Sequence, residues 1–193
     1  MALRYFFDVV CPYSYIMGFE VEEAEDGGLV EVEWTPFELR PAPAPLPEPR
    51  GEYIRRHWRE QVYRLAGDHG VEIHVPRYQP RSTLALTLHA FAEERGSGRA
   101  FRNAAHRAFF VEGLDVGDDA VLREAAAEAG LDGDAALEAA WDPARLVALR
   151  GTREEALRLG VHGVPTVATE REVLFYGAAE PGRLRGTLAK MGA

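Results

Sequence analysis

The segment Leu3-Arg4-Tyr5-Phe6-Phe7-Asp8-Val9-Val10-Cys11-Pro12-Tyr13-Ser14-Tyr15-Ile16-Met17-Gly18 decides how the chain folds. Residues 3–10 are dense in aromatic and β-branched side chains, the composition of a buried strand. Cys11-Pro12 breaks that run, and proline suits a first helical turn because the amide it lacks would be unpaired there anyway. Ile16, Met17, Phe19 and Val21 then recur among glutamates with helical spacing. Gly27-Gly28 closes the helix, and residues 29–35 alternate as a second strand. The chain therefore opens strand, helix, strand, which for parallel neighbours demands a right-handed crossover.

Outward from this unit, residues 36–49 are too rich in proline for helix interior or central strand. They read as an extended connector, an SH3-type ligand being the other use of such a tract. Helical spacing then dominates from Gly51 to about Gly160, in segments 53–66, 82–94, 100–111, 118–129, 134–141 and 143–159. Ser82 and Asp118 or Asp119 are N-cap candidates, and Gly130 is a stop. The character changes again at residues 161–165, a turn. Residues 166–168 and 173–176 form a hairpin, and residues 180–191 a last helix. The order β-α-β, helical block, β-β-α predicts one α/β domain built from residues 1–50 and 151–193, with an all-helical insertion over residues 51–150.

Composition narrows the function classes. The 193 residues carry 31 acidic against 22 basic groups, a net charge of −9, so the basic footprint needed for nucleic acid is missing. Lys190 is the only lysine, a bias without functional weight. At 47% hydrophobic residues the chain can bury a sizeable core. No apolar run reaches the length of a membrane span, and the N-terminal residues lack the basic region of a signal peptide. A single cysteine excludes an intramolecular disulfide, which agrees with a reducing compartment. The expected location is cytoplasmic, with no membrane and no nucleic-acid partner.

A lone cysteine is ordinarily an inert core residue. Cys11, however, stands where a strand hands over to a helix, and unpaired N–H groups at a helix start stabilise a thiolate. In favourable cases such a position lowers the pKa from about 8.5 toward roughly 3.5–7.5. Cys11 is therefore the candidate nucleophile. Pro12 fixes the turn, Tyr13 offers an aromatic wall, and Ser14 brings a hydroxyl toward the sulfur. The second element is Gly163-Val164-Pro165-Thr166. A proline between glycine and a short strand is a candidate cis peptide, and an ordinary trans strand entry is the plainer reading. Such a turn presents the Val164 backbone to an extended peptide or glutathione.

Residues 5–18, with Trp34-Thr35-Pro36-Phe37-Glu38-Leu39, the stretch 106–132 and Gly160-Val161-His162-Gly163-Val164-Pro165-Thr166, resemble the DsbA-like proteins and within them the FrnE subgroup. The resemblance spans the whole chain. It implies a thioredoxin fold with an all-helical insertion, Cys11 as the attacking thiol and Pro165 as the cis-proline facing it. That family's usual site is Cys-Pro-Trp-Cys, whereas Ser14 stands here at the resolving position. A Cys-x-x-Cys pair releases its own mixed disulfide, and a Cys-x-x-Ser site needs an outside thiol such as glutathione.

Kappa-class glutathione transferases and 2-hydroxychromene-2-carboxylate isomerases are similar at Pro12-Tyr13-Ser14, but carry serine where Cys11 stands. Their acidic residue after the last strand corresponds to the neighbourhood of Gly177-Ala178-Ala179-Glu180, and their Asn-Ser or Asn-Thr to Arg81-Ser82-Thr83. Neither match is complete. These groups admit glutathione as a co-substrate and a homodimer. No other cofactor and no metal is required by the sequence.

The remaining candidates have bland alternatives. His57, His69, His74, His89, His106 and His162 lack ligand spacing and read as surface or satisfied core residues. His162 is singled out because the Pro165 loop would carry it toward Cys11. Asp8 either caps the turn or perturbs the thiol, capping being preferred. Arg50, Arg55, Arg56, Arg59 and Arg64 read as a solvated helix face. The leading expectation is a thiol-disulfide oxidoreductase acting on a disulfide-bearing protein or a glutathione conjugate through Cys11. A glutathione-dependent isomerase or transferase is the alternative enzyme, and a peptide-binding module with an incidental cysteine the non-enzymatic one.

Overall fold

The computed structural model describes Leu3 to Gly192. Residues 1, 2 and 193, which the signal-peptide reading and the two outer domain ranges include, lie outside the described residues.

Strand β1 (Leu3–Phe7) is buried along its whole length. It lies inside a four-stranded sheet of order β2-β1-β3-β4 with β2 (Val32–Pro36), β3 (Thr166–Ala168) and β4 (Val173–Tyr176). β1 runs parallel to β2, with Tyr5 opposite Trp34, and antiparallel to β3, with Tyr5 opposite Val167. This is the β-α-β, β-β-α arrangement expected of a thioredoxin fold. Strand β2 begins three residues later than the alternation suggests. Leu29 instead donates its N–H to the Ala24 carbonyl (2.9 Å) in closing the first helix, and Val32 N–H reaches Glu25 Oε1 (3.3 Å). Pro36 is tolerated at the end of β2 because that strand is at the sheet edge.

The period of two along β1 sorts its side chains. Leu3, Tyr5 and Phe7 enter the main core, whereas Phe6 joins a second cluster with Ala156, Val161, Ala168 and Cys11. Helix α1 (Pro12–Asp26) contributes Ile16, Met17, Val21 and Ala24 to the main core and packs on helix α9 (Arg183–Gly192). The α1 side chain Glu20 is buried, and its carboxylate accepts the Gly182 N–H (2.7 Å) and the Arg185 N–H (2.9 Å). It thus caps α9 from another helix, which explains why α9 starts at Arg183 and not at residue 180.

Between the strands, α2 (Glu52–His57), a π-helical turn (Trp58–Val62) and α3 (Tyr63–Asp68) make one continuous rod. Then come α4 (Thr83–Glu93), α5 (Gly98–Phe110), α6 (Asp119–Glu128), α7 (Gly133–Trp141) and α8 (Pro143–Arg158). Asp118, Asp132 and Asp142 cap α6, α7 and α8 by accepting backbone N–H groups two or three residues on. Gly130 takes φ +80° beyond the end of α6, as its reading as a stop requires. Ser82 does not cap α4; its hydroxyl is drawn to Asp8 instead. Helix α8 runs unbroken across residues 150 and 151, and Arg4 on β1 pairs with its Glu155 (2.7 Å). One hydrophobic cluster joins Phe7 and Trp34 to Leu86, Phe101 and Phe109, so the helical block and the sheet share a core.

Candidate active site

Cys11 is the N-cap residue of α1, with φ −91° and ψ 114°, and Pro12 occupies the first turn. Its N–H donates to the Asp8 carbonyl (3.0 Å), which folds the strand end back beneath the helix. Only 5% of the residue is exposed. The Sγ donates to the carbonyl oxygen of Val164 at 3.6 Å, and the Val164–Pro165 peptide bond is cis. The turn is held from both sides: Thr166 Oγ1 donates to the Gly163 carbonyl (2.8 Å), and the Gly177 N–H to that of Pro165 (2.8 Å). Cys11, Val164 and Pro165 are therefore brought together.

Ser14 is fully buried, and its Oγ accepts the Asp8 N–H (3.3 Å). That bond occupies the acceptor side of the hydroxyl and leaves its proton for the sulfur. Burial is the largest influence on the Cys11 thiol and pushes it up to about 11. The Ser14 hydroxyl and the Ser14 and Tyr13 N–H groups all pull it down, whereas the charge of Asp8 raises it. The helix-start stabilisation expected from the sequence is present in its parts, but desolvation exceeds it. The expected low-pKa thiol is not what this environment makes.

Asp8 does cap the turn: its carboxylate accepts the Val10 N–H (3.2 Å) and the Leu39 N–H (2.8 Å). Burial, only partly offset by these bonds and by Ser82, pushes its pKa up to about 6.

A cleft of about 870 Å³, its open mouth included, lies over this thiol. Cys11, Pro12, Tyr13 and Val164 line it from the sheet side, and the connector supplies Leu39, Leu46 and Pro47. Tyr53, His57 and Trp58 close it from the first rod of the helical block. Tyr53 stacks on the His57 ring at an interplanar angle of 9°. The Tyr13 hydroxyl lies 3.0 Å from His57 Nε2 and donates to Gln61 Oε1 (3.1 Å). Burial pushes the Tyr13 hydroxyl up to about 12 and lowers the pKa of His57, the latter opposed by Glu60.

On the other side of Tyr13 and Val164 a second open cleft reaches Gln61, Arg64, Tyr176 and the stretch Gly177-Ala178-Ala179-Glu180. Glu180 lines this second cleft, whose lining includes Tyr13 and Val164 but not Cys11.

His162 corrects an expectation. It is exposed and lines neither cleft, because Val161, Gly163, Val164 and Pro165 are the buried residues of this turn and His162 alone faces outward. His57 stands in the cleft instead. Nothing in the sequence marks His57 beyond the aromatic residues of segment 53–66, since residues 11 and 57 are joined only through the tertiary fold. His106 is not a satisfied core residue: it is buried with Nε2 unpaired among the described residues. Burial, with Arg102 and His89 adding to it, holds its pKa well below the usual value. Arg81 lines the main cleft, but its guanidinium donates to the Arg40 and Ala44 carbonyls (2.6 and 2.8 Å) and so fastens the connector. Arg50, Arg55, Arg56, Arg59 and Arg64 are exposed, in keeping with a solvated face. Among the described residues no group of three or more His, Cys, Asp or Glu is placed to hold a metal ion, and no helix is long and apolar enough to cross a membrane.

Comparison with known proteins agrees with this architecture. The uncharacterised protein YwbO of Bacillus subtilis is 35% identical over 171 residues, which cover 85% of this chain and 84% of that one. The 2-hydroxychromene-2-carboxylate isomerase of Sphingobium xenophagum is 26% identical over 188 residues, 91% of either chain. Among solved structures, the cytosolic disulfide reductase DsbM of Pseudomonas aeruginosa with GSH superposes with a TM-score of 0.74 at 22% identity, covering 100% of this chain and 96% of DsbM. The family model of the DSBA-like thioredoxin domain matches residues 2–189, and the chain belongs to that family.

Proposed function

We propose that the protein catalyses thiol-disulfide exchange through Cys11 alone, with an external thiol, glutathione being the fitting one, completing the cycle. The observation that carries this reading is the placement of Sγ at the N-cap of α1, 3.6 Å from the carbonyl before the cis-proline, at the floor of an open cleft. Cys11 attacks one sulfur of a bound disulfide, Ser14 and the helix-start N–H groups steady the charged sulfur, and Val164 holds the ligand backbone. Pro12 and Tyr13 shape the wall beside the leaving group. Ser14 cannot act as a resolving thiol, so the Cys11 mixed disulfide persists until another thiol arrives. A likeness to a disulfide reductase determined with GSH supports glutathione as that thiol. The site works on a disulfide-bearing protein or a glutathione mixed disulfide and calls for no metal.

The test is mass spectrometry of the whole chain after exposure to oxidised glutathione. One glutathionyl adduct on Cys11, removed by reduced glutathione and absent from Cys11→Ser, is the expected result. A Cys11 that takes no adduct, or an adduct that reduced glutathione leaves in place, would sink the reading.

A second reading is favoured by the walled cleft and by a thiol pushed up to about 11. In it the chain is a glutathione-dependent isomerase, with Ser14 and Cys11 beside the cofactor's sulfur; its Sphingobium relative is an isomerase by name. Binding of reduced glutathione that survives Cys11→Ser would select it over the first.

A further inference from the structure

The cleft contains an imidazole that the exchange reading leaves without a task. His57 is the last residue of α2, directly before the π-helical turn, and Gln61 lies one turn further on. Both reach the Tyr13 hydroxyl, at 3.0 and 3.1 Å. A tyrosine hydroxyl has one proton to give, and here it goes to Gln61 Oε1. The Tyr13 oxygen must then accept from His57, so Nε2 carries the proton and Nδ1 keeps the free lone pair. Burial keeps this imidazole neutral at pH 7, with Glu60 pulling the other way and Tyr13 and Tyr53 the other titratable neighbours. A neutral, oriented imidazole lines the same cleft as Cys11.

We infer that His57 is the general base for the external thiol that releases the Cys11 mixed disulfide, and that Tyr13 and Gln61 are positioning residues that set its tautomer. This rests on the thiol-exchange reading above. Nδ1 takes the proton of the incoming thiol R′SH, and the resulting thiolate attacks the substrate sulfur of Cys11–S–S–R. The R′S–SR bond forms as the bond to Cys11 breaks. The electron pair of the broken bond stays on Cys11 Sγ, which recovers the proton from the imidazolium. The sum is Cys11–S–S–R plus R′SH giving Cys11–SH plus R′S–SR: the incoming thiol is oxidised and the mixed disulfide reduced. The return of the proton matters here, because a thiol whose pKa is pushed up to about 11 leaves poorly as a bare thiolate.

The experiment uses the glutathionylated full chain and reduced glutathione, following loss of the adduct by rapid-quench mass spectrometry between pH 6 and pH 9.5. His57→Ala is expected to slow release about a hundredfold at pH 7, the lower end of what a positioned base supplies. The deficit should shrink toward pH 9.5, where glutathione is already ionised, and added imidazole should restore part of the rate at pH 7. His57→Gln, which keeps a polar side chain, should show the same pH-selective loss without rescue. A loss equal at all pH values and indifferent to imidazole, or no loss, would overturn the role of His57 alone. A wild-type chain that never forms the adduct would overturn the exchange reading and this inference with it.

Discussion

At the scale of single residues the chemistry is set by a contest around Cys11. Three groups at the helix start favour the thiolate, yet 5% exposure and a neighbouring carboxylate outweigh them and push the thiol up to about 11. Alkylation of Cys11 by iodoacetamide should therefore accelerate about tenfold per pH unit across the neutral range and continue rising beyond pH 9. A plateau near pH 7 would mean that the helix start wins. Asp8 supplies a second titration. Its folded pKa is raised from 3.8 to about 6, so the stability linked to its protonated form is full below pH 3.8 and is lost as the pH rises through 6. The stability of the wild type relative to Asp8→Asn should fall by about 3 kcal/mol between pH 3.5 and pH 7. Urea unfolding of both proteins at the two pH values measures this, and a difference independent of pH would remove the raised pKa.

At the scale of elements, the thiol's partners depend on how helices are terminated and joined. Glu20 of α1 receives two N–H groups at the start of α9, and His69, at the end of α3, lies against it at 3.5 Å. The His69 Nε2 also contacts the Ala179 carbonyl at 2.9 Å, so the segment leading into the last helix is tied to the first rod of the helical block. Glu20→Ala removes this cap from part-buried donors and should cost about 0.5–2 kcal/mol in urea unfolding. Amide exchange should rise first in α9, and unchanged protection there would mean that water replaces the carboxylate without penalty. The buried pair His89 and His106 lies beside Phe7 in the same core. His89 Nε2 is 3.2 Å from Glu93 Oε1, yet neither ring nitrogen meets a partner in full hydrogen-bond geometry among the described residues, so His89, like His106, is not a satisfied core histidine.

At the scale of the whole molecule, the cleft exists only because stretches far apart in the sequence meet, residues 76–82 among them. The sheet brings Cys11 and Val164, the connector brings Leu39 to Pro47, and the helical block brings Tyr53, His57 and Trp58. Arg81 and Arg153 hold the connector in place by donating to the carbonyls of Arg40, Ala44 and Glu38. Such a roof should discriminate by size. Cys11 should react with a small maleimide far faster than with the same group on a long polyethylene glycol, in kinetics followed by mass shift. Equal rates would mean that the roof opens freely.

The reading of residues 3–18 as strand, break and helix rests on local chemistry: buried aromatic and β-branched density, then proline where a helix can begin. The same holds for the acidic cap at Asp118, for Gly130 as a stop, and for the hairpin of β3 and β4. The absence of a second thiol needs no structure at all, and with it the exclusion of a self-contained dithiol cycle. Only the tertiary structure decided that Cys11 is buried, that Ser82 serves Asp8 and not its own helix, that Glu20 caps α9, and that His57 stands in the cleft where His162 does not. Each of these depends on which groups lose water together and which donors meet which acceptors across the fold. A single chain read in order carries no record of that until it is packed.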